Sequence, residues 1–167
     1  MSKLAGKYKG HNFHGSPERF DEVADFVVKT FGRNIRYIAD VAGGQGMLTR
    51  ILRKKYNYEC EVVDPRGYAL VGVPSKKEEY TREMATMYDL VIGLHPDEAT
   101  TEVVYSAFKT PTLIIPCCNF WDKTQKLGTK ELVEAIETFY KKNGIRYKIV
   151  KFDFKSPKNI GILTLTK

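Results

Sequence analysis

The residues of this 167-residue chain best suited to chemistry are two acids at apparent strand ends, a glycine cluster, one histidine and a pair of cysteines. Residues 36–46 read Arg36-Tyr37-Ile38-Ala39-Asp40-Val41-Ala42-Gly43-Gly44-Gln45-Gly46. A short apolar run ends in an acid, glycines crowd the next positions, and Met47-Leu48-Thr49-Arg50-Ile51-Leu52 then begins a helical pattern. Strand, tight turn and helix in that order let a backbone approach a nucleotide-like ligand closely. A side chain at Gly44 or Gly46 would occupy space that the ligand or the neighbouring strand needs. A second short strand, Glu59-Cys60-Glu61-Val62-Val63-Asp64, also ends in an acid. An acid there can accept both ribose hydroxyls of a bound nucleoside. The two segments together predict an adenosine-containing cofactor on an α/β sheet.

The glycine spacing narrows the choice of cofactor. In the dinucleotide pattern G-x-G-x-x-G a helix N-terminus meets a pyrophosphate, and the best alignment here, Gly44-x-Gly46-x-x-Thr49, lacks the third glycine. Asp40 adds negative charge where a diphosphate would lie, so it suits a ligand with a positive end, such as the amino group and sulfonium of S-adenosylmethionine. The stretch Asp40-Val41-Ala42-Gly43-Gly44-Gln45-Gly46 resembles the first motif of class I S-adenosylmethionine-dependent methyltransferases, acid-x-Gly-x-Gly-x-Gly, with Ala42 in place of the first motif glycine and Gly43 in the variable position. The resemblance runs from about residue 17 to the end. It implies that Ala42, Gly43, Gly44, Gln45 and Gly46 face the methionine part, with Asp40 near its ammonium group. It also implies that Asp64 holds the ribose, that Pro65 and Arg66 lie beside the adenosine, and that Leu94 lines the cofactor.

Downstream, Gly93-Leu94-His95-Pro96-Asp97-Glu98-Ala99-Thr100 stands where class I methyltransferases present substrate-side residues. The Asn/Asp-Pro-Pro-aromatic motif of nucleic-acid amino-methylases is absent from it. Leu-His-Pro-Asp-x-Ala-Thr followed by Pro116-Cys117-Cys118 resembles instead a branch related to the tRNA 2′-O-methyltransferases, which show a Leu-His-x-x-Gly-x-x-Thr-type loop and a cysteine pair. His95 is then a candidate general base, since imidazole titrates near neutrality, or a residue that orders the loop. Asp97 is either a second base or the N-cap of its helix. Adjacent cysteines on a strand point to opposite sides and no C-x-x-C spacing exists, so no metal is expected. Cys118, Asn119, Phe120 and Trp121 are candidates for an acceptor pocket, and Trp121 either stacks on a base or covers the core.

Formal net charge is +7, which favours an anionic partner such as RNA or reflects charge kept for solubility. Hydrophobic residues make up 43% and charged residues 28%, the balance of a globular protein, and no apolar run approaches the ~20 residues of a membrane span. The N-terminus lacks the apolar stretch of a signal peptide, and three cysteines make no disulfide framework, so a cytoplasmic location is expected.

Alternating elements must position these residues. A helix opens at Ser16-Pro17-Glu18 and closes at Gly32. Strands are expected at 36–41 and 59–64 with a helix over 46–56 between them. A short third strand is expected within 68–73 and a helix or turn over 77–87. Then come a strand at 88–94, a helix from 97 to 108, a strand at 112–116, an amphipathic helix over 129–143, and a hairpin of 146–154 with 160–166. The fold class is α/β and Rossmann-like, a mostly parallel seven-stranded sheet with a C-terminal antiparallel hairpin and helices on both faces. Residues 1–15 are expected as a flexible arm, with His11, Phe13 and His14 folding over the cofactor, and 16–167 as a single methyltransferase domain. With no further recognition domain, substrate reading falls to the sheet's rim, a homodimer or a partner subunit. The function expected is methyl transfer to RNA. The alternatives are a small-molecule acceptor, a silent S-adenosylmethionine-binding subunit, and a nicotinamide-dependent oxidoreductase, which the missing glycine disfavours.

Overall fold

The computed structural model describes residues 17–165, so the expected arm lies outside it. The elements are α1 (Glu18–Phe31), β1 (Tyr37–Val41), α2 (Met47–Lys54), β2 (Glu59–Val63), β3 (Ser75–Lys76), a 3-10 helix (Arg82–Met87), β4 (Leu90–Leu94), a 3-10 turn (Asp97–Ala99), α3 (Thr100–Ser106), β5 (Thr112–Ile115), α4 (Thr129–Lys142), β6 (Tyr147–Lys151) and β7 (Ile160–Thr164). The strands form one seven-stranded sheet in the order β3-β2-β1-β4-β5-β7-β6. Pairing is parallel from β3 through β5, and β7 runs antiparallel to both β5 and β6. This is the expected Rossmann-like sheet. No helix among the described residues is long and apolar enough to cross a membrane.

Residue alternation along the strands divides the core in two. Ile38, Leu90, Ile92, Leu113 and Ile115 face α1 and α2, where Val23, Val27, Leu48 and Leu52 meet them. Ala39, Val91 and Ile114 face α3 and α4, against Val103, Val104, Leu132, Ile136 and Tyr140. Because helices cover both faces, the central strands are apolar on both sides, and β4 is buried along its whole length. Tyr140 brings a hydroxyl into this interior and donates it to the Val104 carbonyl at 2.9 Å.

The third strand is not where the sequence places it. Leu70 to Val73 make a turn closed by Val73 N–H to Leu70 O, and the edge pairing comes at Ser75–Lys76, which align with Val62 and Val63. Two residues of ladder carry no periodicity, so the position is set by what β2 offers as an edge.

Three side-chain contacts tie the elements together, the first at the amino ends of the strands and the other two at their carboxyl ends. Asp89 Oδ2 accepts the N–H groups of Arg36 and Tyr37, both at 2.8 Å, and so locks the start of β1 to β4. Glu22 Oε2 on α1 accepts those of Asp153 and Phe154 at 2.8 and 3.0 Å, which ties the β6–β7 connection to the first helix. The third lies in the glycine turn. Gly46 precedes α2 with a left-handed φ of +82° and offers no side-chain cap. Asp40 on β1 supplies the cap: its Oδ2 accepts the Thr49 hydroxyl at 2.8 Å and the Thr49 N–H at 3.2 Å. A carboxylate at a helix N-terminus satisfies donors the helix cannot.

Gly43 and Gly46 are therefore packing requirements. A Cβ on Gly43 would stand 2.6 Å from the Asp40 carboxyl carbon, and one on Gly46 2.6 Å from Val73 Cγ1 and 3.0 Å from Val62 Cγ2. Ala42 holds φ +55° although it carries a Cβ, which is strain of about 1–2 kcal/mol that a glycine would not bear. Replacing Ala42 by Gly relieves it while adding freedom to the unfolded chain, so stability should change by less than about 1 kcal/mol or rise. Gly46→Ala meets both strain and contact and should cost more than about 2 kcal/mol. Chemical denaturation of the two variants reads the contrast, and equal losses would contradict it.

Candidate functional site

Two cavities open at the carboxyl ends of β1, β2, β4 and β5, beside the point where strand order reverses between β1 and β4, the usual ligand crevice of open α/β sheets. The larger is about 520 Å³, and Asp40, Ala42, Gly43, Gly44, Gln45, Leu94, His95 and Asp97 all line it. The smaller is about 330 Å³, and Asp64 and Pro65 line it together with Tyr80 and Glu102. Ala42, Arg66 and Asp97 belong to both walls, so the cavities are neighbours parted by few side chains. Of the residues expected at the cofactor, Gly46 alone lines neither and faces β2 and Val73 instead; of the expected acceptor-pocket residues, Cys118 lines the larger cavity, and Asn119, Phe120 and Trp121 line neither.

The two acids are in opposite electrostatic states. Asp40 is buried, and loss of solvent pushes its carboxyl up to about 6, against the Thr49 hydrogen bonds that favour the charged form and with the Asp64 charge adding to the rise. Asp64 is just as enclosed, with 3% of its surface exposed. Burial again disfavours its charge, but Arg66 overcomes this and holds the carboxyl below the usual range. Arg66 grips it with Nη2 at 2.7 Å and its backbone N–H at 2.9 Å, and Gly44 N–H donates to Oδ2 at 3.1 Å. The Arg66 guanidinium thus covers the carboxylate expected to bind ribose, and it forms part of the partition between the cavities.

The loop after β4 is strained at two points: His95 has φ +52° and Asp97 +48°, conformations that cost roughly 1–3 kcal/mol each and need surrounding support. His95 N–H donates to the Ile115 carbonyl on β5 at 2.9 Å. Its Nε2 lies 2.9 Å from the Lys158 carbonyl, which can only accept, so Nε2 carries the proton and Nδ1 is left as the acceptor. Burial lowers the imidazole from its ordinary value, and the charges of Arg19 and Lys158 act in the same direction. The ring is neutral at pH 7. Asp97 does not cap its helix; the helix begins with a 3-10 turn that has no side-chain cap, and Asp97 Oδ1 accepts the Cys117 thiol at 2.9 Å.

The cysteines depart from the expected arrangement. The alternation of a strand stops at Ile115, and past it the thiols of Cys117 and Cys118 gather with the Asp97 carboxylate, all within 4.8 Å of one another. Burial and the Asp97 charge push the Cys117 thiol far up. Trp121 packs on Phe139 with ring centres 5.0 Å apart and belongs to the core, and Asn119 braces its own loop through the carbonyls of Asp122 and Gln125. His11, Phe13 and His14 lie outside the described residues.

Arg19, Phe20 and the Ser156-Pro157-Lys158 turn also line the larger cavity, and no sequence motif marks them. The turn had one available signal. A last strand running antiparallel to β5 must start at the carboxyl edge, which brings the connection before it to the site.

No protein-family model matches the chain, and no curated protein matches it. Solved structures do. A SAM dependent methyltransferase from Aquifex aeolicus aligns with a TM-score of 0.55 at 14% identity over 98% of this chain and 96% of its own. The plantazolicin methyltransferase BpumL, in complex with a pentazolic desmethylPZN analog and SAH, aligns at 0.63 and 12% over 99% and 91%. The methyltransferase domain of bacterial CtHen1 aligns at 0.59 and 14% over 89% and 98%. At these identities the likeness is one of architecture, and the chain has the Rossmann-like fold of the class I S-adenosylmethionine-dependent methyltransferases.

Proposed function

We propose that the chain is an S-adenosylmethionine-dependent methyltransferase whose acceptor is RNA. The observation that carries this reading is the pair of abutting cavities at the strand ends, with a close-packed glycine turn and an acid at the end of each of the first two strands. The larger would take the methionine part, its ammonium group drawn to Asp40. The smaller would take the adenosine, whose ribose hydroxyls would replace Arg66 on Asp64. The acceptor would enter beside His95 and attack the activated methyl in line; the sulfonium leaves as the thioether of S-adenosylhomocysteine, and the acceptor proton passes to His95 Nδ1. Most of the rate in such a transfer comes from positioning, with general-base help added to it.

The choice of RNA rests on charge. Formal net charge is +7, and Arg19, Arg66 and Lys158 bring cations to the cavity wall. Among the structural neighbours, one is part of the Pnkp1/Rnl/Hen1 RNA repair complex and another is a plantazolicin methyltransferase, so the fold alone does not choose the acceptor.

Asp40 gives the reading a pH signature. Its folded value, about 6, stands above the unfolded 3.8, so the apo protein should lose stability as pH rises from 4 to 6, by roughly 3 kcal/mol at most. A cationic ligand stabilises the charged form, so S-adenosylhomocysteine should bind more tightly as pH rises through about 6. His95, lowered from its ordinary value by burial, also sheds a proton as pH rises toward neutrality. Calorimetry on Asp40→Asn separates the two, and a pH dependence that survives in this variant would remove Asp40 from the ligand's ammonium.

For catalysis, His95→Ala should lose about 10²–10⁴-fold in rate with little change in cofactor affinity. Wild-type activity should climb with pH and level off by about pH 7, because the imidazole titrates below its ordinary value. The assay is incorporation of labelled methyl into total RNA. Full activity in both His95→Ala and His95→Asn would make His95 structural, and no incorporation by a chain that binds S-adenosylhomocysteine would favour a small-molecule acceptor or a silent subunit.

A further inference from the structure

We propose that Asp97, Cys117 and Cys118 form a binding site for a soft divalent cation, Zn²⁺, on the wall of the larger cavity. This inference does not depend on the methyl-transfer reading. The donors come from two strand ends, Asp97 just after β4 and the cysteines just after β5, so the sheet itself holds the two sides of the site in register. One carboxylate oxygen and two sulfurs within 4.8 Å of one another are the hard-and-soft mixture that zinc accepts. With Zn–S near 2.3 Å and Zn–O near 2.0 Å, tetrahedral S···O and S···S edges come to about 3.5 and about 3.8 Å. The Asp97 Oδ1 to Cys117 Sγ distance of 2.9 Å is a hydrogen bond that needs to open by only about half an ångström.

Charge and access fit the same ion. Binding releases the two thiol protons, one of which is now held between Cys117 and Asp97, and leaves Zn²⁺ with two thiolates and a carboxylate, a net charge of −1. Lys158 Nζ stands 3.5 Å from Cys118 Sγ, placed to donate to that thiolate and offset the remaining charge. All three donors line the cavity, so a fourth ligand would be water or a molecule bound there, which is the open arrangement of a reactive rather than a purely structural zinc. Cys60, the other cysteine, is buried on β2 against Thr49 and is not part of this group.

Titration of the full chain with Zn²⁺ against a chromogenic chelator, and with Co²⁺ by absorption, tests the site. One equivalent should bind, with a thiolate-to-cobalt charge-transfer band that weakens in Cys117→Ser and again in Cys118→Ser. Each substitution should lower zinc affinity at least as much as the roughly 100-fold that losing an outer partner can cost. Uptake should strengthen with pH as the thiols give up protons. Absence of stoichiometric uptake by the wild type, or undiminished uptake in the double Cys→Ser variant, overturns the proposal. Binding of S-adenosylhomocysteine, measured on the same samples, keeps the two readings apart: cofactor bound without zinc sinks the metal site alone, and zinc bound without cofactor sinks the cofactor reading alone.

Discussion

The Asp40 carboxylate, enclosed by the turn that follows it, is the contact on which the rest of the site depends. It receives both Thr49 donors at the start of α2, and its bulk leaves no room for a side chain on Gly43. Strand, turn and helix are thereby locked into one geometry, and the backbone of residues 42–45 becomes a wall of the cavity. The burial that makes this lock firm also makes the negative charge costly, with the carboxyl held near 6. A group that is expensive to ionise without a partner favours a ligand that brings a positive charge, so the proposed ammonium contact and the helix cap draw on the same carboxylate.

Asp64 shows the complementary arrangement. Its charge is fully matched by Arg66, at the cost of covering the carboxylate and dividing the crevice. In the proposed complex the ribose hydroxyls compete with a charge-assisted pair, so cofactor affinity would reflect how readily Arg66 finds another position. The Tyr68 ring, 5.3 Å from the guanidinium, and the Ala42 carbonyl at 3.4 Å from Nη2 are nearby partners for it. On the far side, Glu22 and the β6–β7 connection bring the Lys158 carbonyl to His95 and so choose the tautomer of the only histidine among the described residues. The His95 end of the cavity is therefore set by the last hairpin as much as by the glycine turn and the first two strand ends.

Much of this was legible in the sequence where a backbone requirement leaves a mark. The turn at 43–46 needs glycine for close packing, and each of the first two strands ends in an acid, so the cavity lining at these strand ends could be read directly. What could not be read depends on long-range pairing. The two-residue β3 has no pattern of its own and takes its place from the β2 edge. The expectation that Cys117 and Cys118 diverge failed because strand alternation holds only as far as Ile115. Trp121 offered two readings of equal weight, and its packing on Phe139 decides for the core. Arg66 was placed beside the adenosine, but nothing in the residue order shows that its guanidinium folds back onto the acid two positions before it.

A crystal structure with S-adenosylhomocysteine tests the central claim most directly. The account predicts one ligand running through both cavities, its amino group at Asp40, its ribose hydroxyls on Asp64, and the Arg66 side chain swung away from that carboxylate. A ligand bound elsewhere, or one seated in the crevice with the Asp64–Arg66 pair intact, would contradict it.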